Sequence, residues 1–331
     1  MHAENGLVEA TLWHPVADSI ALTDGPLAAC LLGRDLVLWR DESGHARAFT
    51  DRCPHRGTRL SLGRVVQHDG RAALECPYHG WRFATDGACV LIASQPSFSP
   101  PSSHAACAHD TQEAHGLVWV RLQPGTTALP AFEAETDPRL RKLLCGPYDV
   151  ATSAGRIVEN FLDLSHFGFV HDGWLGERAQ PQTTDYTVQP TPTGFVATGC
   201  KAWQPQSNRL STEGSWVDYR YELTAPFSAV LTKLPQAQDG YRDVIGLFVC
   251  PLDEEHSRVW FRLAVTDHDS SDDALRAFQH TIFTQDQPVL ESQQPRRLPL
   301  AGGEVHCAAD RSSAAFRRFL NERGIRFGAL T

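Results

Sequence analysis

Apolar positions in the first third of the chain come in short runs, AACLLG, DLVLWRD, ARAFTD, AALECP and LVWVRL, punctuated by Gly, Pro and Asp. Runs of that length predict short β-strands joined by tight turns, so the stretch from about Leu12 to Leu122 reads as a small all-β domain. Two polar stretches follow: SQPSFSPPSSH at 94–104, and a segment rich in Pro, Gly, Thr and acids at 123–138. The second marks a domain boundary, giving a first domain over 8–125 and a second over 130–331. The second opens with an apparent helix around Ile157 to Val170 and continues through the strand-like runs YRYELTA, VIGLFVC and RVWFRLAV. Two helices then close it. One starts near Asp272, with Leu275, Phe278, Ile282, Val289 and Leu290 at helical spacing and Ser270 or Ser271 as its N-cap. The other, SSAAFRRFLNERG, stops at Gly324. Helix, sheet, helix predicts an α+β domain.

With 331 residues, 42% of them hydrophobic, each domain can bury a core without disulfide staples. No apolar tract is long enough to span a bilayer. The N-terminal MHAENGLVEATLWHPV lacks the basic start and apolar core of a secretory leader, which makes the cytoplasm the expected compartment. A net charge of -9 without a Lys/Arg-rich run leaves little attraction for nucleic acid or anionic lipid. The nine cysteines are odd in number and scattered, which favours thiols and metal ligation over a disulfide framework.

Two of those cysteines sit in matched loops. CPHRG at 53–57 and CPYHGW at 76–81 each offer one Cys and one His: Cys53, His55, Cys76 and His79. A [2Fe-2S] cluster with two thiolates on one iron and two imidazoles on the other needs that donor set. Pro54 and Pro77 stiffen the loop tips, while Gly57 and Gly80 let the chain turn back behind the ligands. A Cys2His2 zinc site is the alternative, although structural zinc more often takes Cys-x2-Cys pairs.

ENFLDLSHFGFVH carries a second constellation, with Asp163 three residues before His166 and His171 five residues after it. Two imidazoles and one carboxylate make the facial triad that binds Fe(II) and leaves positions open for O2 and substrate. Histidines five apart are rotated by about 140° on a regular helix, so the helix must widen or break between them, and Gly168 offers a place. Asp163 is better suited to hydrogen-bond the far nitrogen of His166. Asp286 is the chosen third ligand, near Pro288 and its local distortion, with Glu291 in reserve. Phe161, Phe167, Phe169, Trp174, Trp203, Trp216 and Phe227 are aromatics available to line a pocket or fill the core.

Through these motifs the chain resembles the α subunits of Rieske non-haem iron oxygenases over almost its whole length. Its size is similar to that of the compact monooxygenases and demethylases, such as vanillate and caffeine demethylases. LLGRDLVLWR, CPHRGTRLSLGRV, QQPRRLPL and EVHCAADRSSAAFRRFL look most like hydroxylases that tailor saxitoxin-type alkaloids. The resemblance implies an N-terminal all-β Rieske [2Fe-2S] domain and a helix-grip catalytic domain of antiparallel sheet plus helices, assembled as a homotrimeric ring. It implies that Cys53, His55, Cys76 and His79 hold the cluster and that His166, His171 and Asp286 hold mononuclear Fe(II). It also implies that Asn160 stands near the iron, and that Asp163 links His166 to His79 of a neighbouring subunit.

The implied reaction is O2-dependent monooxygenation of a small or medium aromatic or heterocyclic substrate, by C-H hydroxylation or by O- or N-demethylation. Ring cis-dihydroxylation is the alternative on the same iron. A different class of reading is an electron-transfer or ligand-binding protein without oxygenase activity. No G-x-G-x-x-G fingerprint is present, so reduction falls to a separate NAD(P)H-dependent reductase, with a ferredoxin as a possible second carrier. The one departure from the family's pattern is a slightly long insertion at VVQHDGRAA between the two cluster loops.

Overall fold

A computed structural model describes residues 6–23, 25–237 and 239–331. Met1–Asn5, at the start of the segment read as lacking a leader, lie outside the described residues. The chain forms two compact units, Glu9–Ala128 and a second that joins the N-terminal residues up to Val8 to Leu129–Thr331.

The first unit is all β. Its strands are β1 (His14–Asp18), β2 (Leu27–Leu31), β3 (Arg34–Arg40), β4 (Ala46–Thr50), β5 (Arg64–His68), β6 (Arg71–Glu75), β7 (Arg82–Phe83), β8 (Cys89–Leu91), β9 (Ala108–Ala114) and β10 (Leu117–Arg121). They make a six-stranded sheet in the order β1-β10-β9-β4-β3-β2 and a four-stranded sheet in the order β5-β6-β7-β8. The long insertion is the β5–β6 hairpin. It turns at Asp69-Gly70, both with positive φ (50° and 78°), the pairing that matches the twist of a two-residue hairpin. Trp39, Phe49, Leu74 and Phe83 form the centre of the core, and Cys53 and Cys76 belong to the same apolar cluster.

The second unit is a seven-stranded antiparallel sheet with helices packed on it. Chain order is β11 (Arg141–Val150), α1 (Ala154–Phe161), α2 (Phe167–Val170), β12 (Thr187–Pro190), β13 (Phe195–Gln204), β14 (Ser215–Ala225), β15 (Ser228–Pro235), β16 (Asp243–Pro251), β17 (Ser257–Val265), α3 (Asp272–Ser292), β18 (Leu298–Pro299), α4 (Arg311–Glu322) and β19 (Ala329–Leu330). The sheet order is β11-β17-β16-β15-β14-β13-β12. In β14, Val217, Tyr219, Tyr221 and Leu223 are buried, while Trp216 and Arg220 are exposed, the period of two expected of a half-buried strand. The helix α1 packs over β15 and β16, and α3 lies along β11. Ser271 caps α3 by accepting from the Ala274 amide at 3.2 Å.

The helix expected over Ile157 to Val170 is two helices. The chain leaves helical geometry between Phe161 and Phe167, where Asp163 accepts from the Ser165 amide (2.8 Å) and the His166 amide (3.2 Å). A short acidic side chain that bonds its own downstream amides competes with helix continuation.

Candidate active site

In the first unit the two cluster loops are built alike. Gly57 and Gly80 return their amides to the Cys53 and Cys76 carbonyls (2.9 and 3.1 Å), and both glycines hold positive φ, 73° and 66°. The result places both thiols inside and both imidazoles toward the outside. Cys53 and Cys76 are buried, whereas His79 is exposed and His55 half-buried. The histidine rings lie with centroids 4.6 Å apart, and Trp81 stacks flat on His55 at 4.6 Å.

Burial, chiefly, pushes the Cys53 thiol up to about 11, with neighbouring Cys76 adding to the effect. His55 Nδ1 is shut from solvent without a hydrogen-bond partner. Two buried thiols side by side and an orphaned imidazole nitrogen are the marks of a site completed by metal. Among the described residues these four donors do not close on a single point, as one zinc ion requires. Two thiols in and two imidazoles out fit a two-iron cluster.

In the second unit, His166 stands just before the first residue of α2 and His171 just after the last. The break in the helix solves the five-residue spacing, and the rings come to 5.0 Å between centroids. The break lies before His166, not at Gly168 as expected. Gly168 serves close packing instead: a Cβ there would meet the Glu177 carbonyl at 2.9 Å, and one at the facing Gly176 would meet the Gly168 amide nitrogen at 2.5 Å.

Each imidazole is oriented from behind. His166 donates from Nδ1 to Asp163 Oδ2 at 3.0 Å, and His171 donates from Nδ1 to Gln285 Oε1 at 2.7 Å. Burial opposes ionisation of Asp163, but bonds from His166 and Ser165 outweigh it and hold its carboxyl below the ordinary value. With Nδ1 turned to these partners, both Nε2 atoms point at the same oxygen. Asp286 Oδ1 is 3.2 Å from His171 Nε2 and 3.5 Å from His166 Nε2.

The two Nε2 atoms and the Asp286 carboxylate are thus three metal-ligating groups turned toward one another. Among the described residues this is the one group of three such donors within 4.8 Å. The set of two imidazoles and a carboxylate is that of a non-haem Fe(II) triad. Asn160 donates to Asp286 Oδ1 at 3.4 Å. Glu291 lies elsewhere, accepting from the Ala151 amide and from Gln287.

The triad opens on a cavity between the sheet and α3, enclosing about 700 Å³ of empty space, including that open to solvent. Its walls are mostly apolar: Phe161, Phe167, Leu231, Ile245, Leu247, Phe261, Phe278, Ile282 and Phe283, with Tyr219, Tyr221, Lys233 and Gln279 as polar members. Of the aromatics available for such a pocket, only Phe161 and Phe167 line it. Phe169 and Trp216 are largely exposed, Trp203 packs edge-on against Trp216, Phe227 is buried at the β14–β15 turn, and Trp174 packs behind Phe278. For Trp216 strand alternation decides this, because it is out of phase with Tyr219 and Tyr221. Gln285, the partner of His171, carries no motif that marks it in the sequence.

Residues 12–110 match the Rieske [2Fe-2S] domain, and residues 150–324 match the vanillate O-demethylase oxygenase C-terminal domain. The chain is 32% identical to methylxanthine N1-demethylase NdmA of Pseudomonas putida over 94% of its own length and 88% of that protein's. It is 34% identical to methylxanthine N3-demethylase NdmB of the same organism, with the same coverage. The structure of Pseudomonas putida CBB5 NdmA with caffeine superposes with a TM-score of 0.83, at 30% identity, covering 95% of this chain and 90% of that one. Built as a cluster domain joined to a domain with a His2-carboxylate donor set, the chain belongs to the Rieske non-haem iron oxygenases, within the group that holds their monooxygenases and demethylases.

Proposed function

We propose that this oxygenase removes a methyl group from a planar, ring-shaped substrate of the size of a methylated purine, working as a homotrimer with a separate NAD(P)H-dependent reductase. The observation that carries the reading is the triad of His166, His171 and Asp286 at one side of an apolar cavity with aromatic walls. The relatives named as methylxanthine demethylases support the N-methyl group as target.

In this reading Cys53, His55, Cys76 and His79 hold the cluster, and His166, His171 and Asp286 hold the iron. Bound there, iron supplies the activation of O2. The chain's own groups do the rest. Asp163 and Gln285 keep both imidazoles with Nε2 toward the metal. Asn160 steadies Asp286, and the phenylalanine walls exclude water and fix the ring plane. The methyl carbon takes one oxygen atom of O2, the other leaves as water with two electrons and two protons, and the hydroxymethyl group departs as formaldehyde. Asp163, held anionic beside His166, is the proposed link for the electron arriving from a neighbouring subunit's cluster.

The test is anaerobic purification with metal analysis, then turnover with reductase, NADH and O2. A red-brown protein with about three irons per chain and O2-dependent formaldehyde release is expected. A colourless zinc protein, or an iron-loaded one that binds methylated purines without releasing formaldehyde, refutes it.

A further inference from the structure

The cavity's sheet wall is organised in rows set by strand register. One row reads Tyr219, Lys233, Asp243, Val265, Arg141 across β14, β15, β16, β17 and β11. The next cavity-facing row contains Tyr221, Leu231 and Ile245, and the one after it Leu247 and Phe261. Arg141 pairs with Asp272 at the start of α3, while Phe283 packs on Phe261 at 5.1 Å and Asp286 follows it along the helix. Lys233 and the metal donors line the same cavity, with Tyr219, the strand neighbour of Lys233, packed on Phe167 between the row and the two histidines.

Lys233 is 5% exposed and stands among apolar and aromatic side chains. Its ammonium has three N–H groups, and among the described residues its one hydrogen bond goes to the Ser207 carbonyl. Asp243, directly across the strand pair, lies outside ion-pair distance and keeps Oδ1 without a partner. Burial lowers Lys233 to about 8, against the pull of Asp243, so the ammonium is still the main form at neutral pH. One row on, the Tyr221 hydroxyl is buried with no hydrogen-bond partner. Tyr219 receives a bond from Gln204 and keeps its own O–H to give. Of the polar groups here, Lys233, Tyr219 and Tyr221, which line the cavity, keep unused protons, while Asp243 Oδ1 and the Gln204 side-chain oxygen are buried acceptors without partners. A neutral ligand leaves the lysine's remaining N–H groups unused, whereas an oxyanion takes up both its charge and those N–H groups.

We propose that Lys233, with Tyr221 beside it, is the specificity determinant for an anionic substrate: a planar ring carrying an ionised oxygen at one end and the methyl group to be oxidised at the other. The proposal rests on the oxygenase reading of the same cavity. It names methylated uric acids and methoxybenzoates as probes of the right chemistry, and it excludes guanidinium compounds.

The experiment compares matched pairs on the iron-loaded enzyme with its reductase: methylated uric acids against methylated xanthines, and methoxybenzoates against methoxybenzamides. Binding is read by calorimetry and turnover by formaldehyde release. The wild type should favour the anionic member by about ten- to hundredfold, the worth of one buried charge-assisted hydrogen bond. Lys233→Met should erase that ratio through KM more than kcat, and Lys233→Arg should restore part of it. Iron content and cluster colour in each variant report that the fold is intact.

Preference for the neutral members, an anion ratio unchanged in Lys233→Met, or no binding of any anionic probe overturns the proposal. Lys233-dependent binding of the anions without formaldehyde sustains it and removes the demethylase reading. Turnover of neutral probes with no effect of Lys233 does the reverse.

Discussion

The cluster site and the cavity site draw on the chain in opposite ways. All four cluster donors come from two loops between Cys53 and His79, and the thiols belong to the core of the unit that carries them. The three donors beside the cavity come from the ends of a four-residue helix and from a 21-residue helix more than a hundred positions later. A site made of neighbouring loops is built with its own small core. A site made by apposing distant elements depends on the whole packing of the second unit, and each of its ligands needs a separate partner to aim it.

The largest expected effect separates the two sites outright. Asp286→Ala should abolish O2-dependent formaldehyde release and the mononuclear iron while the cluster's colour and spectrum persist. Cys76→Ser should lose colour and also lower the unfolding midpoint of the first unit, since its thiol is core as well as ligand. Full colour loss in Asp286→Ala would end the claim that the sites are independent.

Smaller effects sharpen the claim about aiming. Asp163→Asn should cost about ten- to a hundredfold in turnover or iron affinity, with chemical reduction of the cluster unchanged. Gln285→Leu, which removes a neutral acceptor from His171, should fall at the lower end of that range, and metal titration would show it. A wild-type value in both variants would mean that packing alone aims the rings.

At neutral pH the smallest effect belongs to the first unit. Burial holds His14 down to about 4, against the bond its ring makes to the Glu9 carbonyl (2.8 Å). In the unfolded chain the ring titrates near 6.5, so that state takes up the proton first as pH falls. Stability from this group is complete above 6.5 and is lost as pH drops toward 4, by at most about 3 kcal/mol. Unfolding curves followed by the cluster's absorption should show this slope in the wild type and a shallower one in His14→Gln.

The same contrast explains what the sequence made legible. The cluster loops could be read from spacing because each carries its donors, its proline and its turn glycine within six residues. The strand runs and the start of α3 at Ser271 could be read because periodicity and capping are local. The break between α1 and α2 was foreseeable only as a need, since two histidines five apart had to converge. Its position depended on Asp163 bonding the amides that follow it. Asp286 was selected by chemistry and by the distortion expected at Pro288, although α3 runs on through that proline to Ser292, and Gln285 was invisible because an exposed-looking glutamine on a helix has no signature. Which aromatics line the pocket and which fill the core stayed open for a related reason: one position along a strand moves a side chain to the opposite face, and Trp216 is one position out of phase with Val217.

The single helix α3 carries Phe278, Gln279, Ile282 and Phe283 on the cavity and Asp286 on the metal donors. A rigid rod that serves both purposes couples the shape of the substrate space to the geometry of the metal. Changes of bulk along α3 should therefore alter selectivity and catalytic competence together. Leu231 and Ile245, on strands that supply none of the metal donors, are the positions from which a laboratory lineage could drift to new substrates while the metal centre stays as it is.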